Sequence, residues 1–168
     1  MHALLDEAEI VISHNGDRFD HRKVNARFSF HNLPPPRPYK TVDTLKIARR
    51  YFGFNSNKLN DLGKHLGFGE KKETGGFKLW KGCMQGDPVA WRRMKLYNLR
   101  DVDLLCKVYK RFLPWVENHP TLGKYFGKFV CGKCGNRNFQ SRGFAYTKTK
   151  RFRQLQCNKC FSWRNVRE

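Results

Sequence analysis

Acidic residues are scarce in this chain: 14 Asp and Glu stand against 34 Lys and Arg, for a formal charge of +20. A surface so short of carboxylates favours a polyanionic partner, because each phosphate neutralised releases counterions. Long apolar runs are missing too, and none approaches the roughly 20 residues a membrane span requires. The opening residues, MHALLDEAEI, carry neither a basic n-region nor a long apolar stretch. The expectation is therefore a cytoplasmic chain without a secretory leader or a membrane partner. No internal repeat is visible, and the only biased tract is the brief LPPPRP. What the chain does hold is aromatic: 14 Phe and 4 Trp, within 39% hydrophobic residues, can build a core in 168 residues.

The charge is unevenly spread. Residues 121–168 hold 12 Lys and Arg against Glu168 alone, while residues 1–120 hold 22 against 13 acids. That shift predicts two domains, 1–120 and 121–168. The cysteines divide the same way. Cys83 and Cys106 are isolated and read as small core hydrophobes. The other four form two Cys-x-x-Cys pairs in the basic tail, Cys131/Cys134 and Cys157/Cys160, with 22 residues between them. Four thiolates at that spacing make a closed tetrahedral site, so one structural Zn²⁺ is expected. Glycines in CGKCG permit the tight turn, and the intervening FQSRGFAYTKTKRFRQLQ reads as a hairpin. This tail resembles a zinc ribbon. Its cations interleave with Phe144, Tyr146 and Phe152, a pattern suited to single-stranded DNA or RNA.

Upstream, Ile10–Ser13 reads as a buried strand and FDHRKVNARFSFHN as a helix stopped by the prolines. A short strand follows at Lys40–Val42, then a helix bearing Leu45, Ala48 and Phe52. NSNKLNDLGKHLGFG reads as a helix capped by Ser56 or Asn57, and EKKETGGFKLWKGC as a polar surface loop. Asp87-Pro88 opens a helix that carries Tyr97, Asp101, Leu105 and Val108 on one face, as far as Pro114.

Two motifs carry chemistry. HNGDRFD turns a strand end toward Phe19 and Asp20, and YNLRD stacks Tyr97 over Asp101 on one helical face. Asp103 shares that helix but points away from Tyr97, and Asp43 at a strand end reads as a structural cap. Carboxylates delivered from separate elements suit hard cations that polarise a phosphate. In order and type, HNGDRFD, VDTLKIAR and YNLRD resemble the DEDD superfamily, the DnaQ-like 3′→5′ exonucleases of ribonuclease H-like fold. The Tyr matches the branch found in DNA polymerase proofreading domains. The resemblance spans about residues 4–118 and implies an α/β ribonuclease H-like domain followed by the small β ribbon. It implies Asp20 and Asp101 as Mg²⁺ or Mn²⁺ ligands, two ions in a complete site, and Tyr97 as the group that positions water. It also implies Asn15 and Phe19 against the terminal nucleotide.

The family's first motif, a strand bearing Asp-x-Glu, has no counterpart: 13 residues precede His14, and Asp6, Glu7 and Glu9 lie where the family has helix and strand approach. The expected partial fold leaves the Ile10–Ser13 strand with an open edge, for a second polypeptide or a self-pairing arrangement to cover. Two functions follow as expectations: a metal-dependent 3′→5′ exonuclease module, or a non-catalytic nucleic-acid-binding remnant.

Overall fold

A computed structural model describes residues 1–69, 76–117, 119–123, 127 and 129–167. They fall into two compact units, Met1–Asp43 with Lys110–Glu168, and Thr44–Tyr109.

In the first unit, α1 (His2–Glu7) leads into β1 (Ile10–Ser13), and α2 (Asp20–Phe30) into β2 (Lys40–Asp43). The strands pair in parallel, Ile10 with Lys40 through Ser13 with Asp43. A parallel pair needs a crossover, and α2 supplies it. Asp20 in its first turn and Arg27 in its last both suit the helix dipole. The strand expected to be buried is only half-buried along its whole length. The physical reason is sheet size: among the described residues β1 and β2 make a sheet of two strands, with no third strand beside them. Asp6, one of the early acids, is committed elsewhere. Its carboxylate accepts the backbone N–H of Arg37 at 2.8 Å.

The second unit holds α3 (Thr44–Tyr51), α4 (Leu59–His65), α5 (Gly76–Met84) and most of α6 (Pro88–Phe112). Thr44, Ile47, Ala48, Leu62, Leu104 and Val108 are buried. Leu79, Cys83 and Ala90 form a small cluster with Met94 against it. A Cβ on Gly82 would stand 2.9 Å from the Ala90 Cβ, so glycine there lets α5 approach α6. Two expectations change. The stretch from Glu70 to Cys83, read as loop, is helical from Gly76 onward, and residues 70–75 lie outside the described residues. Leu79 and Cys83, buried against Ala90, outweigh the glycines beside them. The cap of α4 is Lys58, with no side-chain cap bond, because Ser56 Oγ donates to Asp61 at 2.5 Å. Asp87 behaves as expected: its Oδ1 accepts the Val89 N–H at 2.8 Å, with Pro88 first in the helix.

Past α6, a 3₁₀ turn (Leu113–Trp115) contains Pro114. An antiparallel sheet then runs β3 (Phe139–Tyr146), β4 (Arg151–Cys157) and β5 (Trp163–Arg167), with β4 in the centre. The expected hairpin is present and gains a third strand. No described helix is long and apolar enough to cross a membrane.

Candidate functional site

The HNGDRFD segment is shaped by its own backbone. Asn15 takes φ 67°, a left-handed conformation that Asn tolerates better than most residues. Gly16 is buried, and a Cβ there would overlap the Cβ and Oγ of Ser13. The chain then coils into α2 through Asn15 C=O accepting from Phe19 N–H (3.1 Å) and Gly16 C=O from His21 N–H (3.0 Å). His21 Nδ1 meets the Tyr39 hydroxyl at 3.2 Å, and its Nε2 lies 3.8 Å from Asp17.

Asp43 holds this loop in place. Its carboxylate, 6% exposed at the end of β2, accepts the backbone N–H of Asn15 at 2.8 Å and of Asp17 at 3.4 Å. The parallel register sets Asp43 beside Ser13, where it meets the loop as it leaves β1. Sequence alone gave Asp43 a generic capping role. The clue to its reach was an Asp closing the strand that follows the loop-bearing one. Asp43→Ala is expected to cost about 1–2 kcal/mol, since it removes two charged-acceptor bonds from the half-buried Asn15 and Asp17 N–H groups. Asp43→Asn should cost less, and thermal melting of the three proteins checks the order.

Phe19 and Asp20 emerge exposed from this turn. Phe19 occupies the N-cap position without a side-chain cap bond, and Asp20 is the first helical residue. Asp20 therefore does not serve as the helix cap, the ordinary role for an Asp at such a place. Tyr97 and Asp101 lie half-buried on α6, one turn apart. Asp103 is exposed and pairs with Lys107 at 2.7 Å, leaving Asp101 as the carboxylate beside Tyr97. Asn15, Phe19 and Asp20 belong to the first unit, Tyr97 and Asp101 to the second.

The four cysteines Cys131, Cys134, Cys157 and Cys160 bring all their sulfurs within 4.8 Å of one another. Sγ–Sγ distances of 3.6 Å, Cys131 to Cys160 and Cys134 to Cys157, exclude disulfides. They match the edge of a tetrahedron about 3.8 Å long, which a Zn–S bond of about 2.3 Å dictates. The two knuckles are built alike. Gly135 N–H bonds Cys131 C=O (2.8 Å) and Phe161 N–H bonds Cys157 C=O (2.9 Å). The residue after each second cysteine is left-handed, Gly135 at φ 72° and Phe161 at φ 59°. Lys133 Nζ donates to the carbonyls of Leu113 (3.2 Å) and Pro114 (2.9 Å), tying the first knuckle to the turn after α6.

Burial works to raise the Cys157 thiol pKa, but the N–H groups of Cys160 and Lys159 and the Asn136 amide outweigh it and bring it down to about 6. Burial pushes the Cys134 and Cys160 thiols up. The knuckle amides thus favour the thiolate at Cys157, while burial disfavours it at Cys134 and Cys160. The donor set fits zinc, which closes such a site without leaving a position for water.

Among the described residues these cysteines are the one group of three or more His, Cys, Asp or Glu side chains able to share an ion. Hard cations such as Mg²⁺ take about six oxygens. The described carboxylates do not fit that requirement by themselves.

A family model described as the RNase_H superfamily matches residues 1–113. No curated protein and no solved structure matches the chain.

Proposed function

Since the chain belongs to the RNase H superfamily, we propose that it is a DEDD-type 3′→5′ exonuclease module whose C-terminal zinc ribbon grips nucleic acid. The division proposed is 1–120 for the nuclease and 121–168 for the ribbon. The observation that carries the reading is the HNGDRFD turn: a left-handed Asn15, a mandatory Gly16 and the Asp43 carboxylate together present Phe19 and Asp20 to solvent at the head of α2.

In this reading Asn15 and Phe19 hold the terminal nucleotide, Tyr97 orients the attacking water, and Asp20 and Asp101 are the chain's ligands for Mg²⁺ or Mn²⁺. Such ions supply Lewis-acid polarisation of the phosphate. Two further carboxylates are required, and a second polypeptide that also covers the open edge of β1 is the proposed source.

A second reading is favoured by the donor set, with no carboxylate cluster among the described residues: a non-catalytic nucleic-acid-binding protein. A time course on 5′-labelled single-stranded DNA and RNA with Mn²⁺ separates the two. A ladder shortening from the 3′ end in wild type and absent in Asp20→Ala supports the nuclease. Retained binding with no ladder supports the second reading.

A further inference from the structure

The register of the ribbon sheet sorts its side chains onto two unlike faces. Residues paired across strands share a face, and successive residues of a strand do not. Tyr146 opposite Arg151, and Phe144 opposite Arg153, fall on one face. There the Arg151 guanidinium lies 3.6 Å from the Phe144 ring centroid, with Arg153 at 6.0 Å. Arg164 on the same face donates to the Val130 carbonyl at 3.2 Å. A ring already covered by a guanidinium offers that side to no base. Phe152, expected to act with Phe144 and Tyr146, points to the opposite face, because it sits one residue away along β4.

That opposite face is different in kind. Gln156 stands opposite Trp163, and Gln154 opposite Asn165. Arg142 Nε donates to Gln156 Oε1 at 3.1 Å, and Gln156 Nε2 donates to the Phe161 carbonyl at 3.3 Å. The amides of Gln154 and Asn165 have no side-chain hydrogen-bond partner among the described residues. Trp163 is 54% exposed and Phe161 60%. Phe161 also holds a left-handed φ where glycine would be unstrained and where the matching knuckle does have glycine. A bulky residue that sits in a strained conformation with its ring in solvent is not there for packing.

We infer that this amide face is a base-reading platform for single-stranded nucleic acid: Phe161 and Trp163 stack bases, Gln154 and Asn165 bond base edges, and Arg142 and Arg167 meet phosphates. Charge complementarity selects the occupant, since residues 121–168 carry net +11. Side-chain amides both donate and accept, as the edges of unpaired bases require, and aromatic rings supply sequence-tolerant stacking. A double helix hides those base faces.

The inference rests on the nucleic-acid reading above, and its test keeps the two apart. Fluorescence anisotropy would compare zinc-loaded full-length wild type, Phe161→Gly and Trp163→Ala on a labelled oligothymidylate, the matching duplex and heparin. Phe161→Gly should melt no lower than wild type, because glycine relieves the φ, yet bind the single strand about fivefold or more weakly. Trp163→Ala should lose a similar factor, and both should keep heparin affinity within about twofold, the charges being untouched. Unchanged single-strand affinity in both variants overturns the platform and leaves the face to another kind of partner, such as a protein. An equal loss on heparin overturns it as well. A wild type that binds neither strand nor heparin removes the nucleic-acid reading beneath it.

Discussion

Chelating zinc from the four-cysteine cluster, or replacing Cys157 with Ser, is expected to unfold the β3–β4–β5 sheet. The reason is the make-up of its interior. Among the described residues from 129 onward the buried side chains are Val130, Cys131, Cys157, Cys160 and Ser162, so three of five belong to the four-cysteine cluster. Segments below about 40 residues rarely bury enough apolar surface to fold alone. Structural zinc contributes an apparent 10–16 kcal/mol, of order, at neutral pH, and that binding energy is folding energy. Far-UV circular dichroism of the full chain should lose the ribbon's strand signal on chelation and regain it with one equivalent of zinc. A signal unmoved by chelation would mean the sheet stands on other contacts. The acid dependence has a definite sign. Cys157 has its folded-state pKa lowered to about 6 from an ordinary 9.0. Zinc holds its ligands as thiolates, so the stability it lends is lost as acid protonates Cys157 and the cysteines beside it. Acid therefore loosens the ribbon.

Asp101→Asn is expected to lower the rate of 3′ shortening about a thousandfold or more in any preparation that shows it, while single-strand affinity stays within about twofold. The substitution keeps shape, removes the charge and turns one acceptor oxygen into a donor. Tyr97 remains one turn away on α6 to report that the helix is intact. Initial rates on a 5′-labelled strand, read beside anisotropy on the same strand, check both halves. Undiminished turnover would take Asp101 out of the mechanism. A parallel loss of binding would recast it as a residue that supports the fold. Asp103→Asn is the control, since that carboxylate is exposed and occupied with Lys107.

Much of this was legible in the sequence, and the parts that were not share a cause. Ile10–Ser13, Lys40–Asp43 and the helix after Asp87-Pro88 were legible because each rests on local pattern: an apolar run, a proline stop, a cap. The two Cys-x-x-Cys pairs announced their cluster by spacing alone. What sequence hid was set by partners distant in the chain. Gly76–Met84 became helix because Leu79 and Cys83 had Ala90 to pack against. Ser56 left the expected cap for the Asp61 carboxylate. Asp43 reached the Asn15 and Asp17 amides only because β1 and β2 pair in parallel. Nothing local foretold a left-handed Phe161, and the opposed faces of Phe144 and Phe152 depend on strand alternation that composition cannot show.

The parallel pairing of β1 with β2 also bears on timing. Along each strand of a parallel ladder, successive amides point to opposite sides, and among the described residues only one side of each strand meets another strand. The backbone that feeds the His14–Asp20 turn is thus stitched along one margin. Its opening is expected at the low end of the molecule's local stabilities, with the buried helical positions around Leu62 and Val108 at the high end. Under the exonuclease reading proposed above, a turn mounted on so thin a sheet would settle its final geometry as a strand end arrives.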